Sequence, residues 1–317
     1  MPPPAPPPGL ARAQDAAREL WPQAAAVIEP LAGGITNENY KVTVGADTYV
    51  IRVFGQDAEL LLIDRARECE ITALAARIGV GPELVAARLD RGVLVTRYIP
   101  GNTVTAAQLR DPAMLREVAQ TLRKVHAVPD EIGRLDPFRD VDYYATEAFN
   151  RGVRAHQDFH DALVLAGEIA DLVSYLPSGL CHGDLLSANF ICSDRGVFVV
   201  DWEYAGRGDP LFDLANMSVN HQFTPDQDAL LLEFYQGRAD RADLAKVRVL
   251  RFVSALREAG WSYLQLAISA LDVDFGAYAD ACLDNMREAA AEPSFTGALE
   301  ALRRGRAPGA GLRTGRP

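Results

Sequence analysis

The periodicity of this 317-residue chain changes once, and the change falls at Pro100-Gly101. From about Ile28 to Ile99, short runs of β-formers alternate with turn signals. Tyr40 to Val44 and Tyr49 to Val53 flank Gly45-Ala46-Asp47, and Leu84 to Leu89 and Val93 to Ile99 flank Asp90-Arg91-Gly92. Both read as hairpins, because Gly and Asp supply the backbone freedom a tight reversal needs. Between them, Asp64 to Ile78 sets Ile71, Leu74, Ala75 and Ile78 on one helical face. From Thr105 onward the period is mostly helical, over Thr105 to Val125, Asp158 to Tyr175, Asp226 to Tyr235 and Asp243 to Leu271. The expected architecture is α+β and bilobal: a small β-rich lobe with one helix over residues 11–99, then a larger, mainly helical lobe over 100–303. Two lobes leave a cleft, and clefts between domains are where ligands usually bind.

The ends read differently. Residues 1–10, MPPPAPPPGL, lack a basic stretch followed by an apolar core and are expected to be a disordered Pro-rich tail rather than a signal peptide. Residues 304–317, rich in Gly, Arg and Pro, are expected to be a second disordered tail. No window approaches 18 continuous apolar residues, so no transmembrane helix is expected. With 32 Lys and Arg against 43 Asp and Glu, the net charge of −11 repels nucleic acid and anionic membranes alike, and neither is an expected partner. Cys69, Cys181, Cys192 and Cys282 are scattered without CxxC spacing, as in a reducing cytoplasm. Cys181 adjoins His182, but no second Cys/His pair accompanies them at ligand spacing, so a buried thiol is the expected role.

The stretch from Leu180 to Asn216, LCHGDLLSANFICSDRGVFVVDWEYAGRGDPLFDLAN, carries the chemistry. Asp184 follows His182 by two residues, Asn189 follows Asp184 by five, and Asp201 closes the apolar run Val197 to Val200, which reads as a short buried strand. Transfer of a phosphoryl group from Mg·ATP asks for one carboxylate to receive the acceptor hydroxyl's proton, and for an amide oxygen and a second carboxylate as hard ligands for Mg²⁺. Asp184, Asn189 and Asp201 supply these. His182 is expected to brace the loop by hydrogen bonds. Asp213 is expected to open a helix as its N-cap.

Gly33-Gly34-Ile35-Thr36-Asn37 precedes a strand, and its glycines would let backbone N–H groups approach phosphates. Arg52 interrupts the apolar strand Tyr49 to Val53, where it could grip phosphates if a carboxylate of the next helix held it; a lone strand Arg is more often a solvated charge. Periodicity does not choose between Glu68 and Glu70 as that carboxylate.

These motifs, with RYIPG and with WSYLQLAIS followed by Tyr278-Ala279, resemble the choline/ethanolamine kinases, within the aminoglycoside-phosphotransferase group that shares the protein-kinase-like fold. The resemblance runs over roughly Leu31 to Met286. It implies Asp184 as catalytic base and Asn189 and Asp201 as Mg²⁺ ligands. Gly34, Thr36, Asn37 and Arg52 would meet the ATP phosphates, Glu70 would hold Arg52, and the backbone from Arg97 to Ile99 would meet adenine. The acceptor would contact Asp184, Glu203, Tyr204, Glu258, Trp261 and Tyr278, with Tyr204, Trp261 and Tyr278 as an aromatic box for a quaternary ammonium. The implied reaction is transfer from ATP to the hydroxyl of choline, or of ethanolamine. Aminoglycosides, thiamine and other small alcohols are the alternative acceptors, and a nucleotide-binding pseudokinase acting as a partner protein is the alternative of another class. Three residues depart from the family pattern: Gly183 stands where Asn is usual, Asn220 where a pocket glutamate is expected, and Glu258 in place of an aromatic.

Overall fold

The computed structural model of the protein describes residues 9–32, 34–129 and 132–305; most of both expected tails and Gly33 lie outside this range. The chain forms two compact units, one running to Leu135 and including Ser178–Arg207, the other made of Asp136–Pro177 and the chain from Gly208. The segment bearing Asp184, Asn189 and Asp201 therefore groups with the β-rich part.

In the first unit, β1 (Ala26–Leu31), β2 (Glu38–Val44), β3 (Asp47–Val53), β4 (Leu84–Arg88) and β5 (Val93–Arg97) form an antiparallel sheet in the order β1-β2-β3-β5-β4. The expected hairpins are present: Val44 pairs with Asp47 across a turn containing Gly45 at φ +60°, and Gly92 at φ +63° precedes β5. Alternation along β2, β3 and β5 buries Tyr40, Val42, Tyr49, Ile51, Val53, Val93 and Val95 on one face. That face is covered by α1 (Gly9–Leu20) through Ala13, Ala16 and Ala17. This corrects two expectations: Gly9 and Leu10 belong to a helix rather than a tail, and the β-rich region has more than one helix. An alanine stripe gives a weak apolar signal, and Pro-rich sequence immediately precedes it. The helix start is held by Glu38, whose Oε1 accepts from the Gly9 N–H at 2.9 Å.

The helix α2 (Arg65–Arg77) starts at Asp64, whose side chain accepts from the N–H groups of Ala66 and Arg67. The expected single helix over Thr105 to Val125 is instead α3 (Ala106–Leu109) and α4 (Pro112–His126), because Asp111-Pro112 caps and starts a new helix. A second small sheet joins β6 (Asn102–Thr103), β8 (Phe190–Ser193) and β9 (Gly196–Val199), while β7 (Gly179–Cys181) pairs with Gly206–Gly208. The strand expected at Val197 to Val200 is β9, with Val197, Phe198 and Val199 buried.

The second unit is helical: α5 (Pro137–Asn150), α6 (Gln157–Leu172), α7 (Pro210–Asn220), α8 (Pro225–Gln236), α9 (Arg241–Ile268), α10 (Phe275–Ala291) and α11 (Pro293–Gly305). The 28-residue α9 runs through its centre, and α5, α7, α10 and α11 pack around it. Almost every residue of α9 from Val247 to Gln265 is buried, including Arg251 and Arg257. The cap of α7 is Asp209, preceding Pro210, rather than Asp213, which lies one turn inside the helix with no exposed surface. No helix among the described residues is long and apolar enough to cross a membrane.

Candidate active site

His182 links the two ends of the chemistry-bearing segment. Its Nδ1 accepts from the Asp184 N–H at 3.2 Å, which leaves Nε2–H to donate to the Val200 carbonyl at 2.9 Å, one residue before Asp201. The ring is fully buried and 4.8 Å from that of Trp202. A histidine committed on both nitrogens positions its loop rather than moving protons. Gly183, between His182 and Asp184, has φ +79°, and a Cβ there would lie 3.1 Å from both Leu135 and the Tyr204 carbonyl. This accounts for one departure from the family pattern, since Gly and Asn are the residues that adopt the left-handed conformation most readily.

Asn189 is 7% exposed and turns its Nδ2 onto Asp184, donating to the backbone oxygen at 2.8 Å and to Oδ2 at 3.3 Å. Its Oδ1 receives no donor among the described residues. Asp201 stands at φ +72°, an uncommon conformation for a residue with a side chain, and one that tends to mark functional positions. Its Oδ1 accepts from Arg52, and its Oδ2 receives no donor among the described residues. Two hard oxygens without donors are a suitable ligand set for a divalent cation such as Mg²⁺.

Arg52 lies on the face of β3 opposite the buried Ile51 and Val53, with its side chain 12% exposed. The solvated-charge alternative therefore does not apply. Besides Asp201, it reaches Glu68 Oε1 at 3.2 Å. The partner on α2 is Glu68, not Glu70. Glu68 shares a helical face with Ile71, Thr72 and Ala75, at spacings of three, four and seven, and is buried with them, whereas Glu70 is exposed.

A second arginine completes this network. Arg65 Nη1 donates to Glu68 Oε2 at 2.7 Å and to Glu203 Oε2 at 2.8 Å, and Nη2 to Asn37 Oδ1 at 2.9 Å. Glu203, expected at the acceptor, is 5% exposed and tied instead to the turn before β2. It accepts from Asn37 Nδ2 at 2.8 Å and from Thr36 Oγ1 at 3.2 Å. Burial raises the Glu203 carboxyl above the usual range, with the Asp201 charge acting the same way and Arg65 opposing it. Gly34 in that turn has φ +84°. Sequence reasoning missed Arg65, although its place at the start of α2, three residues before Glu68, offered a signal.

Between β5 and β6, the N–H groups of Arg97 and Tyr98 are taken by the carbonyls of Glu83 and Thr48, at 2.8 and 3.0 Å. The N–H of Ile99 has no acceptor among the described residues. The Arg97 side chain is a surface group, paired with Asp47 at 3.0 Å and Glu83 at 3.1 Å.

In the second unit, α9 and α10 bring Trp261 and Tyr278 together, with ring centroids 6.0 Å apart, and Phe275 lies 5.8 Å from Trp261. Trp261 is 8% exposed and Tyr278 half-buried. Glu258, one turn before Trp261, has a side chain 16% exposed. Phe275 was not foreseen, although it sits three residues before Tyr278. Tyr204 belongs to the first unit. Asn220 is the last residue of α7, and its Nδ2 is buried without an acceptor among the described residues.

The family model described as "Phosphotransferase enzyme family" matches residues 27–250. The chain belongs to the phosphotransferase enzyme family. A choline/ethanolamine kinase family protein from Mesorhizobium loti superposes with a TM-score of 0.78 at 30% identity, covering 93% of this chain and 98% of that one. This similarity extends the family assignment to the choline/ethanolamine kinases. The choline kinase LicA from Streptococcus pneumoniae shares the fold, with a TM-score of 0.71 at 21% identity over 92% of this chain and 99% of that one. Among curated relatives, Protein LicA of Haemophilus influenzae is 27% identical over 214 residues, 66% of this chain and 62% of that protein. The fold is thus the protein-kinase-like α+β fold of these phosphotransferases.

Proposed function

We propose that this protein transfers the γ-phosphoryl group of ATP to the hydroxyl of a small cationic amino alcohol of the choline/ethanolamine kind. The reading rests most on Asn189: its amide nitrogen holds Asp184, while its own Oδ1 and the Oδ2 of Asp201 are left to a cation. Bound Mg·ATP supplies the transferable group and the positive charge that neutralises its oxygens. Asp184 accepts the hydroxyl proton as the acceptor oxygen bonds to the γ-phosphorus and the bond to the bridging oxygen of ADP breaks. Arg52, fixed between Glu68 and Asp201, is poised for the nucleotide phosphates. The turn at Gly34 would offer them backbone N–H groups, and the N–H of Ile99 would meet adenine. The second unit recognises the acceptor through Trp261, Phe275, Tyr278 and Glu258, since ring faces and a carboxylate both attract an alkylammonium. With ATP as donor, the reaction belongs in the cytoplasm.

The test is ADP release from Mg·ATP with choline, ethanolamine, thiamine and an aminoglycoside offered in parallel. Turnover with the amino alcohols is expected. Turnover confined to thiamine or the aminoglycoside would overturn the acceptor assignment, and ATP binding with no acceptor used would point to the pseudokinase alternative.

A further inference from the structure

Arg257 of α9 is 3% exposed, yet it serves two carboxylates: its Nε donates to Asp140 Oδ2 of α5 at 2.9 Å and its Nη1 to Glu258 Oε1 at 3.3 Å. One guanidinium thus lies between two carboxylates, and the side chains of Asp140 and Glu258 are only 13% and 16% exposed. Glu258 has an oxygen to offer. Oε1 is taken by Arg257, while Oε2 receives no donor from the described residues and is not sealed from solvent.

Glu258 lies on the stretch of α9 that carries one of the rings. Glu258 and Trp261 are one turn apart on α9, and Tyr278 and Cys282 are one turn apart on α10. The two helices pack together here, Trp261 lying against Phe275 and Tyr278, and burial pushes the Cys282 thiol up to about 12, with the charge of Glu258 adding to the rise. Glu258 and the rings of Trp261, Phe275 and Tyr278 thus belong to one stretch of the α9–α10 seam.

We propose that Glu258 is a specificity-determining residue that selects acceptors whose ammonium still carries an N–H, placing primary, secondary and tertiary amino alcohols ahead of the quaternary one. The proposal rests on the amino-alcohol reading above. Ring faces attract an alkylammonium at every degree of methylation, so rings alone would favour choline as readily as ethanolamine. A carboxylate oxygen without a donor adds a charge-assisted hydrogen bond, and only an N–H can make it. Arg257 is the positioning residue, holding Oε1 so that Oε2 is presented.

The experiment is kcat/KM along ethanolamine, N-methylethanolamine, N,N-dimethylethanolamine and choline, all carrying one positive charge at neutral pH. A fall of roughly tenfold or more is expected at the last methylation, where the final N–H disappears, with smaller changes before it. In Glu258→Met, which keeps chain length but removes the acceptor, that step should vanish, because the three N–H acceptors lose far more than choline does. Choline equal to or better than the dimethyl compound in the wild type overturns the proposal, whether or not the variant folds. So does a Glu258→Met variant that lowers all four alike. No turnover with any of the four overturns the amino-alcohol reading itself, which separates that failure from a wrong order among acceptors that are used.

Discussion

Each unit holds a cluster in which the named carboxylates outnumber the named arginines by one, but the two clusters are assembled differently. In the first, Arg52 and Arg65 meet Glu68, Asp201 and Glu203. These come from a strand, a helix and the segment after β9, and the free oxygens belong to Asp201 and Asn189. In the second, Arg257 meets Asp140 and its own neighbour Glu258, beside three aromatic rings. A deficit edged by hard oxygens suits a metal ion and phosphates; a deficit edged by rings suits an organic cation. The same electrostatic device thus serves two ligands, and the neighbouring groups decide which.

If this division is right, variants should separate by unit. The largest expected effect is in the first. Asp184→Asn keeps the shape and the contact with Asn189 but removes the carboxylate, and kcat should fall by ~10²–10⁴ with ATP affinity little changed, as measured by steady-state kinetics and nucleotide titration. Near-wild-type turnover would remove Asp184 from the chemistry.

Next comes a stability effect in the second unit. Arg257→Met leaves Asp140 and Glu258 without their shared cation, and breaking a buried pair from one side costs about 3–5 kcal/mol. Denaturant unfolding should show this as a lower midpoint at pH 7. An unchanged midpoint would mean that the trio is not held as described.

How much of this was legible beforehand follows the same division. Asp184, Asn189 and Asp201 lie within eighteen residues of one another, and the hairpins that carry Arg52 announce themselves through Gly45 and Gly92. The partner of Arg52 did not, because the alignment with family motifs pointed to Glu70, while the helical face that turns inward from Asp64 carries Glu68. Glu203 was expected at the acceptor, but its buried bonds to Thr36, Asn37 and Arg65 depend on segments more than 130 residues apart in sequence. The Arg257 trio was equally hidden, since Asp140 is 117 residues from Arg257. The alanine stripe of α1 was invisible for another reason: small side chains pack closely but give little hydrophobic contrast.

A smaller effect sharpens the acceptor side. Trp261→Ala should weaken amino-alcohol binding by ~0.5–2 kcal/mol through the lost ring face. If Trp261 served only as core, unfolding midpoints would drop while the acceptor KM of the folded enzyme stayed put.

The smallest expected effect lies away from both ligands. Burial pushes the Asp228 carboxyl of α8 up to about 6, against Arg251 and the Ser218 hydroxyl. A carboxyl raised in this way holds its proton more tightly folded than unfolded. Its contribution to stability is complete below about pH 4, the unfolded value, and is lost as pH rises through the folded one. Asp228→Asn should therefore flatten the fall in stability between pH 4 and 6, as followed by urea midpoints, and an unchanged profile would rule the group out.

The division of labour itself is tested most directly by measuring both Michaelis constants on Arg52→Ala and Trp261→Ala. Arg52→Ala should raise the KM for ATP by roughly tenfold, the scale of a lost charge-assisted contact, and leave the amino-alcohol KM nearly unchanged. Trp261→Ala should do the reverse. Both variants shifting both constants together, or each shifting the other's substrate, would contradict the account.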